Sequence, residues 1–374
     1  MAGSPLEDAV GEALRESALD TLDEALATGA YDEAIVVVDA TTAAAFEGRL
    51  PAGVRLDVDR PDEAFHFGRR LGEVIERYDL RRPVYIGCGL PLIKGDELAA
   101  VAGVLAASEN VLVANNYFSA DFLGFTPGSV VRGLELPAND RILPRLLVGS
   151  AGLVNRPLPR TIANQFDIDT PGDLAIVAYA GGAGPRLSAR LERLAPATAS
   201  LANAARSFTD GDAEVLVAGR VGSQVWQYLE VETACRIRLY SEERGLQAAG
   251  RDLSGEARSL LAFHLAAVGP ERFFRELGEM AQAAFIDTRA IFSHAGRAPS
   301  RADRFASDLL QPAAIEDPWL REFTAAAAAA PIPVVLGGSS LVTSGIQLLS
   351  EAAWREHDRL EGEYRAKGRA RGKD

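Results

Sequence analysis

Two cysteines, Cys88 and Cys235, stand in 374 residues, too few for a disulfide framework or a structural zinc site. No apolar run approaches the ~20 residues needed to span a bilayer, and no apolar N-terminal signal precedes a cleavage site. A cytoplasmic chain without a membrane partner is the expectation. Basic charge is scarce. Against 52 Asp and Glu stand 39 Lys and Arg, and the net charge of −13 argues against a nucleic-acid partner, which would need a concentrated basic face. Only the tail from Arg365 to Lys373 is basic, and it reads as a solvated end. Neither a Ser-His-Asp signature nor a Walker or dinucleotide fingerprint is present. What remains is 48% hydrophobic and 24% charged, ordinary for a globular protein. The length exceeds what one core usually fills, so two domains are expected.

Helical and strand patterns alternate along the chain. Residues 5–28 read as an amphipathic helix closed by Gly29, with Leu6, Val10, Leu14, Leu19, Leu22 and Leu26 inward. Ala34–Val38 is a continuous β-branched run, as expected of a strand buried on both faces, and Val54–Val58 is a shorter strand. Pro61–Tyr78 is helical with Phe65, Leu71, Val74, Ile75 and Tyr78 inward, and a buried strand from Pro83 breaks into the loop Gly87–Leu92. A helix opens at Gly95, Val111–Ala114 is a strand, and another helix follows Arg145. The glycine-rich stretch Ala180–Pro185 punctuates the chain.

A second series follows. Its strands are Val215–Val221, Ile237–Tyr240, Ala284–Phe292 and Pro333–Leu336, and its helices are Gln224–Glu232, 255–268, 271–282, 314–330 and a long final one. An Arg/Asp-rich loop is expected over 294–311. The fold class is therefore α/β, a mostly parallel sheet with helices on both faces plus a second α/β domain. The expected divisions are 1–180, a helical connector 181–210, the second domain 211–352 and a charged helix or tail 353–374.

The stretch Gln165–Leu174 reads as a strand end running into a helix start. Thr170 suits the N-cap, Pro171 the first helical position and Asp173 the third, while Asp167 and Asp169 would sit at the strand's carboxyl edge. Asn115, Asn116, Ser119 and Asp121 interrupt an apolar strand. Their donors and acceptors suit a nucleobase or a substrate hydroxyl, or else they cap the strand end as turn residues. Asn139, Asp140 and Arg141, with Arg145 and Arg160, offer cations for phosphate or surface salt bridges.

In the second half, Arg220, Arg236, Arg238, Arg244 and Arg289 lie in or beside strands, where charge is costly unless paired. They suit an anionic small molecule, or structural pairing with acids such as Glu242 and Asp287. Gly222-Ser223 and Gly337–Ser340 lie between strands and helices, where backbone N–H groups can hold phosphate. His294 offers general acid or base chemistry or a structural hydrogen bond.

Three stretches carry a family resemblance. Helix 5–28 with Asp32–Val38, the segment Gly87-Cys88-Gly89-Leu90-Pro91-Leu92 with Asp96-Glu97-Leu98, and Phe166–Leu174 together resemble the glycosyltransferase-A type nucleotidyltransferases. These include the molybdenum-cofactor guanylyltransferases and 2-phospholactate guanylyltransferases. The resemblance covers residues 5–176 and implies a seven-stranded mixed sheet of the nucleotide-diphospho-sugar-transferase type. It also implies Mg²⁺ or Mn²⁺ as cofactor, and transfer from a nucleoside triphosphate to a small phosphorylated or hydroxylated acceptor with release of pyrophosphate. On it, Asp167 and Asp169 are the catalytic and metal-binding residues. Apart from the resemblance, residue types make Asn115, Asn116, Asp121, Asn139, Asp140, Arg141, Arg244 and Arg289 the candidates to bind a nucleotide or other phosphate-containing small molecule. The family's first strand and Gly-rich nucleotide loop would precede the first helix, where only Met1–Ser4 stand, and Cys88 and Gly89 replace its central acid. The alternative is a non-catalytic scaffold binding an anionic metabolite or a protein partner, with a homo-oligomer as a further expectation.

Overall fold

The structure is a computed structural model that describes residues 3–60, 63–118, 121–195, 198–245, 250–251 and 254–371. Ser119 of the polar stretch, Pro61 and the last residues of the basic tail lie outside these. The chain is α/β, with one mixed sheet and two parallel ones. It forms two compact units: Leu14–Asp167 with Ala183–Leu187, and Met1–Ala13 with Ile168–Gly182 and Ser188–Asp374.

The first unit begins within α1 (Pro5–Ala27) and continues with β1 (Ile35–Val38), β2 (Arg55–Val58), α2 (Phe67–Arg77), β3 (Val84–Ile86) and α3 (Gly95–Ala106). There follow β4 (Val111–Ala114), β5 (Phe122–Thr126), α4 (Leu143–Gly149), β6 (Val154–Pro157) and α5 (Ile162–Gln165). β1 and β2 pair in parallel as a sheet of their own. The other four strands run in the order β3-β5-β4-β6, with β5 antiparallel to both neighbours and β6 parallel to β4. All of β4 and β5 is buried, and α3 lies so close that a Cβ on Gly124 would stand 2.8 Å from Leu105 Cδ1.

Three expectations need correction here. β1 is not buried on both faces, because in a two-stranded sheet Val37 keeps 41% of its surface exposed. Phe65 does not point inward: His66 caps α2 by accepting from the Arg69 N–H, which leaves Phe65 ahead of the helix and 67% exposed. No strand covers residues 165–169. A short helix ends at Gln165, and Phe166 and Ile168 are buried from a loop, reproducing the alternation of a strand without its pairing.

The second unit comprises α6 (Pro171–Ala180), α7 (Pro185–Leu194), which starts in the first unit, α8 (Ala199–Ala205), β7 (Glu214–Gly219), α9 (Ser223–Glu232) and β8 (Arg236–Ser241). Then come α10 (Leu260–Val268), α11 (Pro270–Met280), β9 (Ala283–Asp287), α12 (Arg289–His294), α13 (Arg301–Asp308), α14 (Pro318–Ala328), β10 (Val334–Gly337) and α15 (Ile346–Arg371). Its four strands are all parallel in the order β10-β9-β7-β8. β7 and β9 are buried almost throughout, the pattern of a parallel sheet covered by helices. Phe208 stacks on Phe285, and Phe273, Phe274, Phe292, Trp319 and Phe323 form a chain of ring contacts at 5.1–6.2 Å. The strand expected over 284–292 stops at Asp287, and the loop expected over 294–311 contains α13.

Phe323 is 1% exposed at the centre of that aromatic chain. Phe323→Ala should lower the unfolding free energy by about 3–5 kcal/mol in a denaturant titration, the usual cost of a large core cavity.

Candidate functional site

The expected site residues gather at two places, one in each unit. In the first unit the focus is Tyr85, on β3. Its ring packs edge-on against Phe67 at 5.0 Å. The chain then turns at Gly87, whose N–H donates to the Asp121 carbonyl at 2.7 Å. A Cβ on Gly87 would lie 3.8 Å from both the Asp121 Cβ and the Tyr85 hydroxyl, so the loop is fitted closely around that hydroxyl. Burial pushes the Tyr85 phenol far up, and Asp140, Asp121 and Asp167 raise it further by their negative charge. Three carboxylates expected to be functional thus lie within electrostatic reach of one protonated hydroxyl on β3.

Their supports are local. Asp140 opens a 3₁₀ turn capped by Asn139, whose side chain accepts from the Arg141 N–H. Asp167 follows Phe166, which is fully buried. The amides expected to read a base have structural work instead. Asn115 donates from Nδ2 to the Asn164 carbonyl at 2.7 Å and accepts from the Phe122 N–H at 3.2 Å, which fixes the turn between β4 and β5. Asn116 accepts from the Phe118 N–H in the same turn. Glu97, from the segment that carries the resemblance, accepts from Thr161 Oγ1 and Asn164 Nδ2 through one oxygen, and its other oxygen is buried without a partner among the described residues.

Carboxylate oxygens are the hard donors that Mg²⁺ and Mn²⁺ prefer, and Mg²⁺ usually takes only one or two protein carboxylates beside phosphate and water. Asp121, Asp140 and Asp167 fit that demand; the Cys88 thiol does not. Among the described residues no three His, Cys, Asp or Glu side chains close around a common point, so an all-protein cage is not formed. A cleft of about 320 Å³ elsewhere in this unit is also acidic, but its acids are engaged. Asp20 accepts from the Arg186 and Leu187 N–H groups, and Glu24 from that of Gly95.

The second gathering lies at the carboxyl edge of the parallel sheet. β7 ends at Gly219 with φ +129°, where a Cβ would overlap that of Asp287. The close approach lets Arg220 reach Asp287 with Nε at 2.6 Å, Nη2 at 3.1 Å and its own N–H at 3.2 Å. Burial opposes ionisation of Asp287, but the guanidiniums of Arg220 and Arg289 hold its carboxyl below the ordinary range. Arg289 in turn forks onto Asp308, with Nη2 at 2.7 Å and Nη1 at 3.3 Å. Burial pushes the Asp308 carboxyl up while Arg289 works against it. Arg244 is exposed and lies against Gly222, where a Cβ would stand 3.0 Å from Nη1.

Compared with known proteins, the chain matches no family model, no curated protein and no solved structure.

The loop Asp169–Asp173 belongs to this second gathering. The capping box is present as expected: Asp173 Oδ2 accepts from the N–H groups of Asp169 and Thr170 and from Thr170 Oγ1. A Cβ on Gly172 would stand 3.9 Å from both the Asp308 Cβ and the Leu336 carbonyl, which places the motif beside the end of β10. The boundary between the units falls between Asp167 and Ile168. Asp167 acts electrostatically on Tyr85, whereas Asp169 acts on Asp173. His294 accepts from the Ser259 N–H through Nδ1 and packs edge-on against Phe263, the structural alternative.

Sequence reasoning missed Tyr85, hidden in an apolar strand. It also took Asp173 for a cap alone and Asp308 for part of a loop. Burial and the neighbouring Asp169 push the Asp173 carboxyl up to about 7. The folded chain therefore keeps this proton at pH values where the unfolded chain, with a carboxyl near ~3.9, has released it. Its contribution to stability is present at acid pH and is lost as pH rises to about 7. Asp173→Asn does not titrate. Between pH ~4 and pH ~7 the Tm of the native chain should fall relative to that variant, as read by parallel thermal scans.

Proposed function

We propose that the first unit is a metal-dependent nucleotidyltransferase-like centre, acting on a nucleoside triphosphate and a small phosphorylated or hydroxylated acceptor. The observation that carries this reading is that Asp121, Asp140 and Asp167 all lie within electrostatic reach of the buried Tyr85 phenol. A mixed sheet with β5 as its antiparallel member supports it, as does the segment 87–98 that supplies the loop beyond β3.

A bound Mg²⁺ or Mn²⁺ supplies neutralisation of phosphate charge during an in-line displacement. Asp167 and Asp121 are the residues that would hold it. Tyr85 keeps its proton at all physiological pH values, so its O–H can donate to a phosphate oxygen or orient a carboxylate. In the transfer, an acceptor oxygen forms a bond to the α-phosphorus as the bond to pyrophosphate breaks. The proton of an acceptor hydroxyl passes to a carboxylate, and Asp140 is the residue we propose for that role. The turn capped by Asn139 fixes the backbone from which Asp140 reaches the group.

The non-catalytic scaffold is favoured by one specific feature: Cys88 and Gly89 stand where the resemblance has a metal-binding acid. One experiment separates the readings. The full chain is mixed with Mg²⁺ or Mn²⁺ and each common nucleoside triphosphate at millimolar concentration, then assayed for Tm and for pyrophosphate release in the presence of phosphorylated acceptors. The enzyme reading expects a metal-dependent rise in Tm with one triphosphate, and pyrophosphate release that Asp167→Asn lowers by at least ~100-fold. A rise in Tm without release under any condition establishes the scaffold. No shift with any triphosphate removes the nucleotide from consideration.

A further inference from the structure

We propose that the carboxyl edge of the parallel sheet, over the ends of β9 and β10, binds the phosphate group of a small anionic molecule on Arg304, within a cluster formed by Arg289, Arg301 and Arg304. The ligand class is a phosphate-bearing metabolite, and the site is independent of the carboxylate group in the first unit.

Helix α13 supplies the cluster. Arg301, Arg304 and Asp308 are spaced three and four apart and so share one helix face. That helix packs against β10 and against α6, at the carboxyl edge where ligands of parallel sheets bind. Each of the other charges is already matched. Asp308 is fully buried, and its two oxygens take the fork of Arg289. Arg301 lays its guanidinium over the Phe305 ring at 5.1 Å and sits within electrostatic reach of Glu7.

Arg304 is different. It is half-buried and donates to the Pro299 carbonyl at 3.2 Å. Among the described residues no carboxylate forms an ion pair with it, and Asp308, one turn along the same helix, is taken by Arg289. Burial, then the like charges of Arg289 and Arg301, push the Arg304 guanidinium down from its ordinary value. A cation held in this way is stabilised by an anion from outside.

The shape of the edge suits phosphate. Arg289 lies against the loop that follows β10, where a Cβ on Gly338 would stand 4.0 Å from Nη2. That loop, Gly338-Ser339-Ser340, carries small side chains beside Arg289. A guanidinium fork matches two oxygens of one phosphate, and a dianion answers more of the clustered positive charge than a carboxylate does.

The test is a titration of the full-length protein with inorganic phosphate at constant ionic strength, followed by ³¹P NMR and by Tm. Saturable binding is expected in the native chain. Arg304→Gln should weaken it roughly tenfold while leaving the Tm without phosphate unchanged, and Arg304→Lys should restore part of the loss. Arg301→Gln, at an exposed side chain, provides a second weakened variant that keeps the fold. Asp167→Asn should bind phosphate normally, even if it abolishes nucleotide binding. The proposal is overturned by phosphate affinity unchanged in Arg304→Gln, by loss of binding in Asp167→Asn instead, by equal competition from acetate, or by no saturable binding at all.

Discussion

A fully buried carboxylate at the end of a parallel strand is the constraint on which the second unit depends. Asp287 has no exposed side-chain surface, and a charge buried without a partner is destabilising by several kcal/mol. Its ionised form is kept by Arg220 and by the N–H groups of Arg220 and Arg289. That arrangement requires β7 and β9 to end at nearly touching backbones, which only a glycine at position 219 allows. Arg289 is then buried too, and its charge requires Asp308, which brings α13 to the end of β10. One alternating series, Arg220–Asp287–Arg289–Asp308, therefore ties the segments after β7 and β9 to helix α13. Removing any member leaves its neighbour as an uncompensated charge, so the series behaves as a unit rather than as separate ion pairs.

The second unit was the more legible half of the fold, for a physical reason. Its central strands β7 and β9 are buried on both faces and appear as continuous apolar runs between helices. Where apolarity alone had to decide, it misled: Ala290-Ile291-Phe292 continues the hydrophobic run of β9 but belongs to α12, and the strand seemed to extend to Phe292. Helix α13 was concealed by its charge. Ser300 and Asp303 nevertheless carry a capping pattern, with the Ser300 hydroxyl accepting from the Asp303 N–H, and that signal was available in the sequence. In the first unit, β6 consists of Val154, Asn155, Arg156 and Pro157 at an exposed edge, so no hydrophobic period announces it.

The candidate site was legible in its residue types and illegible in its grouping. Asp167 and Asp169 are two positions apart, a spacing that puts both carboxylates on one side of a strand. The segment is a loop, and the two acids act electrostatically on different groups: Asp167 on Tyr85, Asp169 on Asp173. Asp121 and Asp140 were singled out for nucleobase and phosphate contacts, yet they share the surroundings of Tyr85 with Asp167. Only the antiparallel return of β5 brings Asp121 back to the end of β3, and that pairing leaves no mark in the composition of the polar stretch before it.

The two gatherings differ in the sign of what they can accept, and the net charge of the chain does not reveal this. In the first unit, three carboxylates act electrostatically on one protonated phenol, so the local field favours a cation. In the second, the acids Asp287 and Asp308 at the sheet edge are buried and engaged by arginine, and Arg304 beside them has no ion pair among the described residues. Over a Debye length of about 8–10 Å a ligand senses the local arrangement rather than the total of −13. An acidic protein can hold an anion when its excess acids lie elsewhere and its buried acids are each answered by a guanidinium. The arginines concentrated at strand ends are therefore informative as a remainder: what matters is which of them the fold has already matched, and that can be read only once the pairs are known.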